Sequence, residues 1–229
     1  MAQLNLGVMY YNGLGFQQNY ALAAEWFRKA AEQDVPEAQY NLGLMYYKGD
    51  GVPQSYETTA EWYRKAAEQG LPQAQNDLGL LYYTGQGVPQ SYETAAEWYR
   101  KAAEQDVPEA QYHLGLLFFY IEGVQQNYAT AAEWFRKAAE QGFAPAQNYL
   151  GIMYDKGYGV QQNYETAAEW YRKAAEQGHD QAQFNLGGMY YYGEGVRKNE
   201  SVAINWLQKA ARQGNTKAKK FLKELGKTW

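Results

Sequence analysis

Six tryptophans, Trp26, Trp62, Trp98, Trp134, Trp170 and Trp206, stand 36 residues apart without one insertion. The Leu-Gly pair keeps the same step, at Leu6-Gly7, Leu42-Gly43, Leu78-Gly79, Leu114-Gly115, Leu150-Gly151 and Leu186-Gly187. Ala-Gln follows it too, beginning at Ala2-Gln3 and Ala38-Gln39. A fixed period of this size means repeats too small to bury a core alone, which stack on their neighbours along one axis. The 229 residues hold six repeats and a seventh half-repeat, so the usual arithmetic of domain size does not apply. The organisation reads as six repeats over 1–217 and a basic capping helix over 218–229.

Each repeat reads as a pair of helices. In the second, Pro36 and Glu37 open a helix: proline lacks the amide hydrogen that would go unpaired there, and the carboxylate meets the positive helix end. Ala38, Leu42, Met45 and Tyr46 then form one buried stripe. Lys48 to Gly51 ends it, since glycine takes positive φ cheaply past a last turn. Gly43 lies inside this helix at a cost of about 1 kcal/mol against alanine, a cost that close approach of a neighbouring helix would offset. Ser55 caps the second helix, and Asn19, Ser91, Asn127, Asn163 and Asn199 hold the same place. Tyr56, Ala60, Tyr63 and Ala67 form its inner stripe. Glu61 and Lys65 form an i,i+4 pair in the favourable order, repeated at Glu25/Lys29, Glu97/Lys101, Glu133/Lys137 and Glu169/Lys173. Gly70, Gly142, Gly178 and Gly214 close this helix, with Asp34 and Asp106 in the same place elsewhere.

Composition narrows what such an array can do. No cysteine is present, which excludes disulfides, thiolate nucleophiles and cysteine zinc sites, and leaves the redox compartment open. The longest apolar stretch, Leu114 to Ile121, is interrupted by Gly115 and falls far short of the about 20 residues of a membrane span. No basic and apolar leader opens the chain, and a bacterial cytoplasm and periplasm are both compatible. Residues 197–229 carry nine Lys and Arg against Glu200 and Glu224, while the rest carries 12 against 23. An acidic body with a basic end steers partners of either sign.

The repeat pattern is A-Q-x-x-L-G-x-x-Y-x-x-G-x-G-V, then Y-x-x-A-x-x-W-x-x-K-A-A-E-Q-G. The second repeat supplies Ala38, Gln39, Leu42, Gly43, Tyr46, Gly49, Gly51, Val52, Tyr56, Trp62, Lys65, Ala66, Ala67, Glu68, Gln69 and Gly70, with Thr59 in place of the alanine. This resembles the Sel-one-like repeat, a relative of the tetratricopeptide repeat, over essentially the whole chain. The resemblance implies an all-α fold, a right-handed αα-superhelix (solenoid) of helix-turn-helix repeats that scaffolds protein complexes, often in bacteria. It also implies that the first helices line the concave side. Secreted members with a disulfide in each repeat are a weaker analogy, because their cysteines are missing here.

Catalytic and cofactor signals are thin. His113 and His179 each lack a second histidine at helical spacing, so no helical metal motif exists, and no cofactor is expected. The G-x-G-V turns never continue as Gly-Lys-Ser/Thr and read as backbone turns, not phosphate loops. Lys217, Lys219, Lys220, Lys223 and Lys227 have the composition of a nucleic-acid or anionic-lipid contact. Ala218, Phe221, Leu222 and Leu225 fall on one stripe, however, as a solenoid's capping helix requires, and no nucleic acid is expected as partner.

Repeats held alike for structural reasons show functional positions where they differ. Position 40 reads Leu4, Tyr40, Asn76, Tyr112, Asn148, Phe184, and position 41 reads Asn5, Asn41, Asp77, His113, Tyr149, Asn185. Position 47 reads Tyr11, Tyr47, Tyr83, Phe119, Asp155, Tyr191, and position 48 reads Asn12, Lys48, Thr84, Tyr120, Lys156, Tyr192. On a concave face these ladders have the composition of a protein-binding groove, tyrosine among polar groups. Tyr40, Tyr47, Asn76, Asp77, Tyr83, Tyr112, His113, Phe119, Tyr120, Ile121, Asn148, Asp155, Phe184 and Tyr191 are the expected contacts. The other reading of Tyr40 and Tyr47 is packing between repeats. Position 44 (Val8, Leu44, Leu80, Leu116, Ile152, Gly188) reads as inter-helix packing. Ile121 stands where five repeats carry Gly13, Gly49, Gly85, Gly157 and Gly193, which marks Phe119, Tyr120 and Ile121 as an apolar anchor.

The expected function is a non-enzymatic scaffold that binds a protein or peptide, as an adaptor or as an immunity protein whose acidic groove suits a basic toxin. Two alternatives stand beside it. One is a structural module joined end to end with other copies. The other is an enzyme on a carbohydrate or cell-wall substrate using Asp77, His113 and Asp155, which lie on three different repeats and form no dyad by spacing.

Overall fold

The structure, a computed structural model, describes residues 1–120 and 127–229. The described residues form thirteen α-helices and no strand. They fall into two compact units, Met1–Ala110 and Gln111–Trp229. In the first, α1 (Ala2–Asn12) pairs with α2 (Tyr20–Ala31), α3 (Pro36–Lys48) with α4 (Tyr56–Glu68), and α5 (Pro72–Thr84) with α6 (Tyr92–Ala103). The unit boundary falls within α7 (Pro108–Tyr120). The second unit continues with α8 (Tyr128–Glu140), α9 (Ala144–Lys156), α10 (Tyr164–Glu176), α11 (Asp180–Tyr192), α12 (Glu200–Arg212) and α13 (Thr216–Glu224). Consecutive helices pack on one another within each unit, which makes the fold an all-α solenoid. The odd-numbered helices are the A helices and the even-numbered ones the B helices.

Helix ends follow local chemistry. Ser55 Oγ accepts from the Thr58 amide at 3.2 Å, and Asn19, Ser91, Asn127, Asn163 and Asn199 cap their B helices the same way. Gly49 ends α3 at φ 80°, in the left-handed region. Asp34 and Asp106, at φ 58° and 60°, adopt that region without being glycine, a tolerance aspartate shares with asparagine. Ile121, the departure at the fourth turn, lies outside the described residues.

The glycine inside each A helix is a contact surface. A Cβ on Gly43 would fall 2.7 Å from the Tyr63 ring, and one on Gly151 would fall 2.6 Å from Tyr171. The second glycine of the G-x-G-V turn has a role that turn geometry alone does not reveal. Gly51 lies against the backbone of Tyr20 and Ala21, and Gly195 against that of Tyr164 and Glu165. No side chain fits between that turn and the preceding B helix.

Buried glutamines tie repeat to repeat. Gln39, fully buried, donates to the Ala31 carbonyl at 3.2 Å and accepts from Gln69 Nε2 at 2.8 Å. Gln147 and Gln183 repeat both bonds, to Ala139 and Ala175 and from Gln177 and Gln213. The expected Glu–Lys pairs do not form. Lys65 Nζ lies 4.1 Å from the centre of the Trp62 ring instead, and Lys29, Lys101, Lys137, Lys173 and Lys209 sit likewise over Trp26, Trp98, Trp134, Trp170 and Trp206. The indole one turn back offers its π-face to the ammonium.

Candidate functional site

The A helices repeat one lateral contact, from position 40 of one repeat to position 41 of the next. In the first unit, Tyr40 Oη donates to Asp77 Oδ2 at 2.9 Å and Asn76 Nδ2 donates to Asp77 Oδ1 at 2.9 Å. The Tyr40 ring stacks on Tyr63 at 5.2 Å. Burial pushes the Asp77 carboxyl up, while the bonds from Tyr40 and Asn76 oppose that rise. In the second unit, Asn185 Nδ2 donates to Asn148 Oδ1 at 3.1 Å, and Tyr112 meets Tyr149 edge-on at 5.7 Å. These residues are joints between A helices. Asn148 is buried, so a partner cannot reach it without displacing its neighbours.

The aromatic ladder divides between joint and surface. Tyr47 leans edge-on against Tyr56 at 5.4 Å, whereas Tyr83 is exposed beside Tyr92. His113 is half-buried, its ring 5.6 Å from Tyr112. Phe119, only 7% exposed, lies among Tyr128, Tyr149 and Tyr158 in the core. Tyr120 is 59% exposed, its hydroxyl 3.3 Å from that of Tyr149. Of the expected Phe119–Tyr120–Ile121 anchor, the described residues therefore offer Tyr120 to a partner and keep Phe119 inside. Tyr191 stands edge-on to Phe221 at 5.1 Å, and Phe184 packs with Phe221 against Leu207, Ala210 and Leu222.

Two clefts in the second unit run together. One, of about 530 Å³, includes Tyr120, Asn148, Tyr149, Ile152, Asp155 and His179. The other, of about 430 Å³, includes Phe184, Gly188, Tyr192, Lys217, Lys220 and Phe221. Both are lined by Asp155, Tyr171, Asn185 and Lys217, so the concavity is continuous across α9, α11 and α13. Tyr120, Asp155 and Phe184 are thus brought to one surface, with Asn148 buried beneath it. Gly188, Lys217 and Lys220 join it without having been read as site residues. Gly188 is the break in the position-44 ladder, and both lysines lie on the helix that caps the array.

The surface carries both signs. Asp155, Glu194 and Glu224 line it, and so do Lys156, Lys217 and Lys220, with Lys156 and Asp155 paired at 3.0 Å. The acidic groove expected from the chain's charge is not what this surface presents. His179 Nδ1 accepts from the Ala182 amide at 3.2 Å and so caps α11, and burial lowers its pKa. Among the described residues no three His, Asp or Glu side chains are grouped to hold a metal ion, and no helix is long and apolar enough to cross a membrane.

The profile of the Sel1 repeat matches six consecutive segments, 1–35, 36–71, 72–107, 108–143, 144–179 and 180–215. The chain belongs to the Sel1 repeat family. Sel1 repeats build scaffolds that bind protein partners. A protective antigen of uropathogenic Escherichia coli strains, displaying an SLR fold, is 43% identical with a TM-score of 0.91, over 95% of this chain and 46% of that one. The chain therefore spans about half the antigen's length. A Sel1 repeat protein from Oxalobacter formigenes is 36% identical with a TM-score of 0.88, over 97% of this chain and 87% of that one. The immunity protein Pa5087 from Pseudomonas aeruginosa is 29% identical with a TM-score of 0.53, over 80% and 67% of the two chains. No curated protein matched the chain by sequence.

Proposed function

We propose that this Sel1 repeat chain binds a protein or peptide along its A helices and performs no chemistry on it. One observation carries the reading: several residues that vary between repeats, Tyr120, Asp155, Phe184 and Tyr192 among them, line one continuous cleft surface of the second unit, with Tyr120 and Tyr192 exposed. Affinity capture from the source cell tests it with three forms of the chain: unaltered, Tyr120→Ala with Asp155→Lys on the A surface, and Lys137→Glu over Trp134. A partner should be lost only by the A-surface form, with affinity falling about tenfold or more for a hot-spot tyrosine. Equal capture by all three overturns the reading.

A finer role, neutralisation of a toxin, draws support from the 29% identity to an immunity protein. Co-expression with a toxin encoded beside its gene should restore growth, and the A-surface form should fail to do so. Unrelieved killing by the unaltered chain overturns the immunity role and leaves the scaffold reading in place.

A further inference from the structure

Position 44 of the repeats reads Val8, Leu44, Leu80, Leu116 and Ile152, and then Gly188. The preceding glycine in each A helix is explained by packing, since a Cβ on Gly7, Gly43, Gly79, Gly115, Gly151 or Gly187 would fall 2.5 to 2.9 Å from a B-helix side chain. Gly188 is different. A Cβ there meets nothing within 4 Å, and the residue lies inside α11 with no positive φ. Neither packing nor backbone geometry requires glycine, which is the least favourable helix residue after proline.

A second subtraction lies beside the first. Position 47 is aromatic in five repeats and is Asp155 in the fifth. Gly188 and Asp155 line the same cleft of about 430 Å³. Between α1 and α3, where Val8 and Leu44 remain, the cleft is about 250 Å³. The two departures from the repeat together remove the side chains that would fill this space. Its middle is apolar, with Met189 and Phe221, and its ends differ in charge. Lys217 and Lys220 stand in the first turns of α13, and neither is in an ion pair among the described residues. Glu194 and Glu224 stand just past the end of α11 and at the end of α13.

We propose that this cleft is a pocket for one aromatic or long aliphatic side chain of an extended peptide, in which an acidic residue precedes or follows that side chain toward Lys217 and Lys220 and a basic residue lies on its other side toward Glu194 and Glu224. The proposal rests on the protein-binding reading and names the chemistry recognised. An apolar side chain recovers the burial that the missing leucine gave up, and the opposed end charges require opposite charges on its two flanks.

Selection of random heptapeptides by display on the full chain tests it, with Gly188→Leu as the comparison. Leucine is what three repeats already carry at this position, so the variant keeps the fold, as circular dichroism should verify. Peptides enriched on the unaltered chain should share a bulky apolar residue between an acidic and a basic one. A synthetic peptide of the enriched sequence should bind Gly188→Leu at least about tenfold more weakly. The double variant Lys217→Glu, Lys220→Glu should exchange the acidic preference for a basic one. Enriched sequences without that pattern, or equal affinity for Gly188→Leu, overturn the pocket. Capture repeated with Tyr120→Ala alone, a residue outside this cleft, decides the scaffold reading whichever way the peptides fall.

Discussion

A Cβ on Gly43 would press to 2.7 Å from the Tyr63 ring, whereas one on Gly188 would meet open space. The two glycines occupy neighbouring positions in the repeat and answer to opposite demands. Gly43→Val should cost about 1–3 kcal/mol for the clash, with a further loss of helix propensity, read from urea unfolding. A change within about 0.5 kcal/mol, the ordinary range of a surface substitution, would mean that the Tyr63 ring swings aside. Gly188→Ala should instead stabilise the chain by about 0.5–1 kcal/mol, the usual gain on removing glycine from a helix. Thr59, which departs from the repeat's alanine, is explained at this scale too. Its hydroxyl donates within 2.8 Å of the Ser55 carbonyl and 3.2 Å of the Gly43 carbonyl, so a buried polar atom is satisfied.

At the scale of helices, the joints are glutamine bonds and caps. Gln147→Leu removes the donor to the Ala139 carbonyl and the acceptor for Gln177. The Ala139 carbonyl keeps the Gly142 amide and Gln177 Nε2 keeps the Gly142 carbonyl, so the cost is that of the lost bonds, about 0.5–1.5 kcal/mol each, which a shift of the urea midpoint at constant slope would register. An unmoved midpoint would show that the bonds are dispensable. The cap of α11 gives a pH dependence. His179 Nδ1 accepts from Ala182 only when neutral, and burial lowers its pKa below that of the unfolded chain. The unfolded state then binds more protons, so the contribution is complete above about pH 6.5 and is lost as pH falls through the lowered folded value. His179→Asn keeps an acceptor, as Asn215 does at α13, and should flatten that part of the stability profile. Identical slopes in the two proteins would assign the dependence to other groups.

At the scale of the whole array, each repeat within a unit is covered by the next, and α13 covers α12. Leu207, Ala210 and Ala211 of α12 are buried together with Ala218 and Leu222 of α13. Removing residues from Thr216 onward exposes that face. The shortened chain should bind a hydrophobic dye and melt at lower temperature, with the lost protection in hydrogen exchange greatest in α11 and α12, because stability in such arrays is shared between neighbours. Unchanged melting and exchange would mean that the α12 face needs no cover. Far-UV circular dichroism of the full chain should show helix and no measurable sheet.

The chain alone carries the 36-residue step, the pairing of helices, the serine and asparagine caps and the glycine turns, because each depends on contacts within a few residues of itself. It also led to the family, since six in-phase copies carry their own comparison. Which variable residues face a neighbour and which face solvent follows from packing in three dimensions. Tyr40 is held by Asp77 and Asn148 by Asn185, each 37 residues on. That offset differs by one residue from the repeat itself, so aligning equivalent positions never places those partners side by side. Phe119 looked like a surface anchor and is core, while Gly188 looked like packing and opens a cleft. The difference lies in how the side chains of α9, α11 and α13 fill the space between them, which depends on volumes from three repeats at once and on no single period.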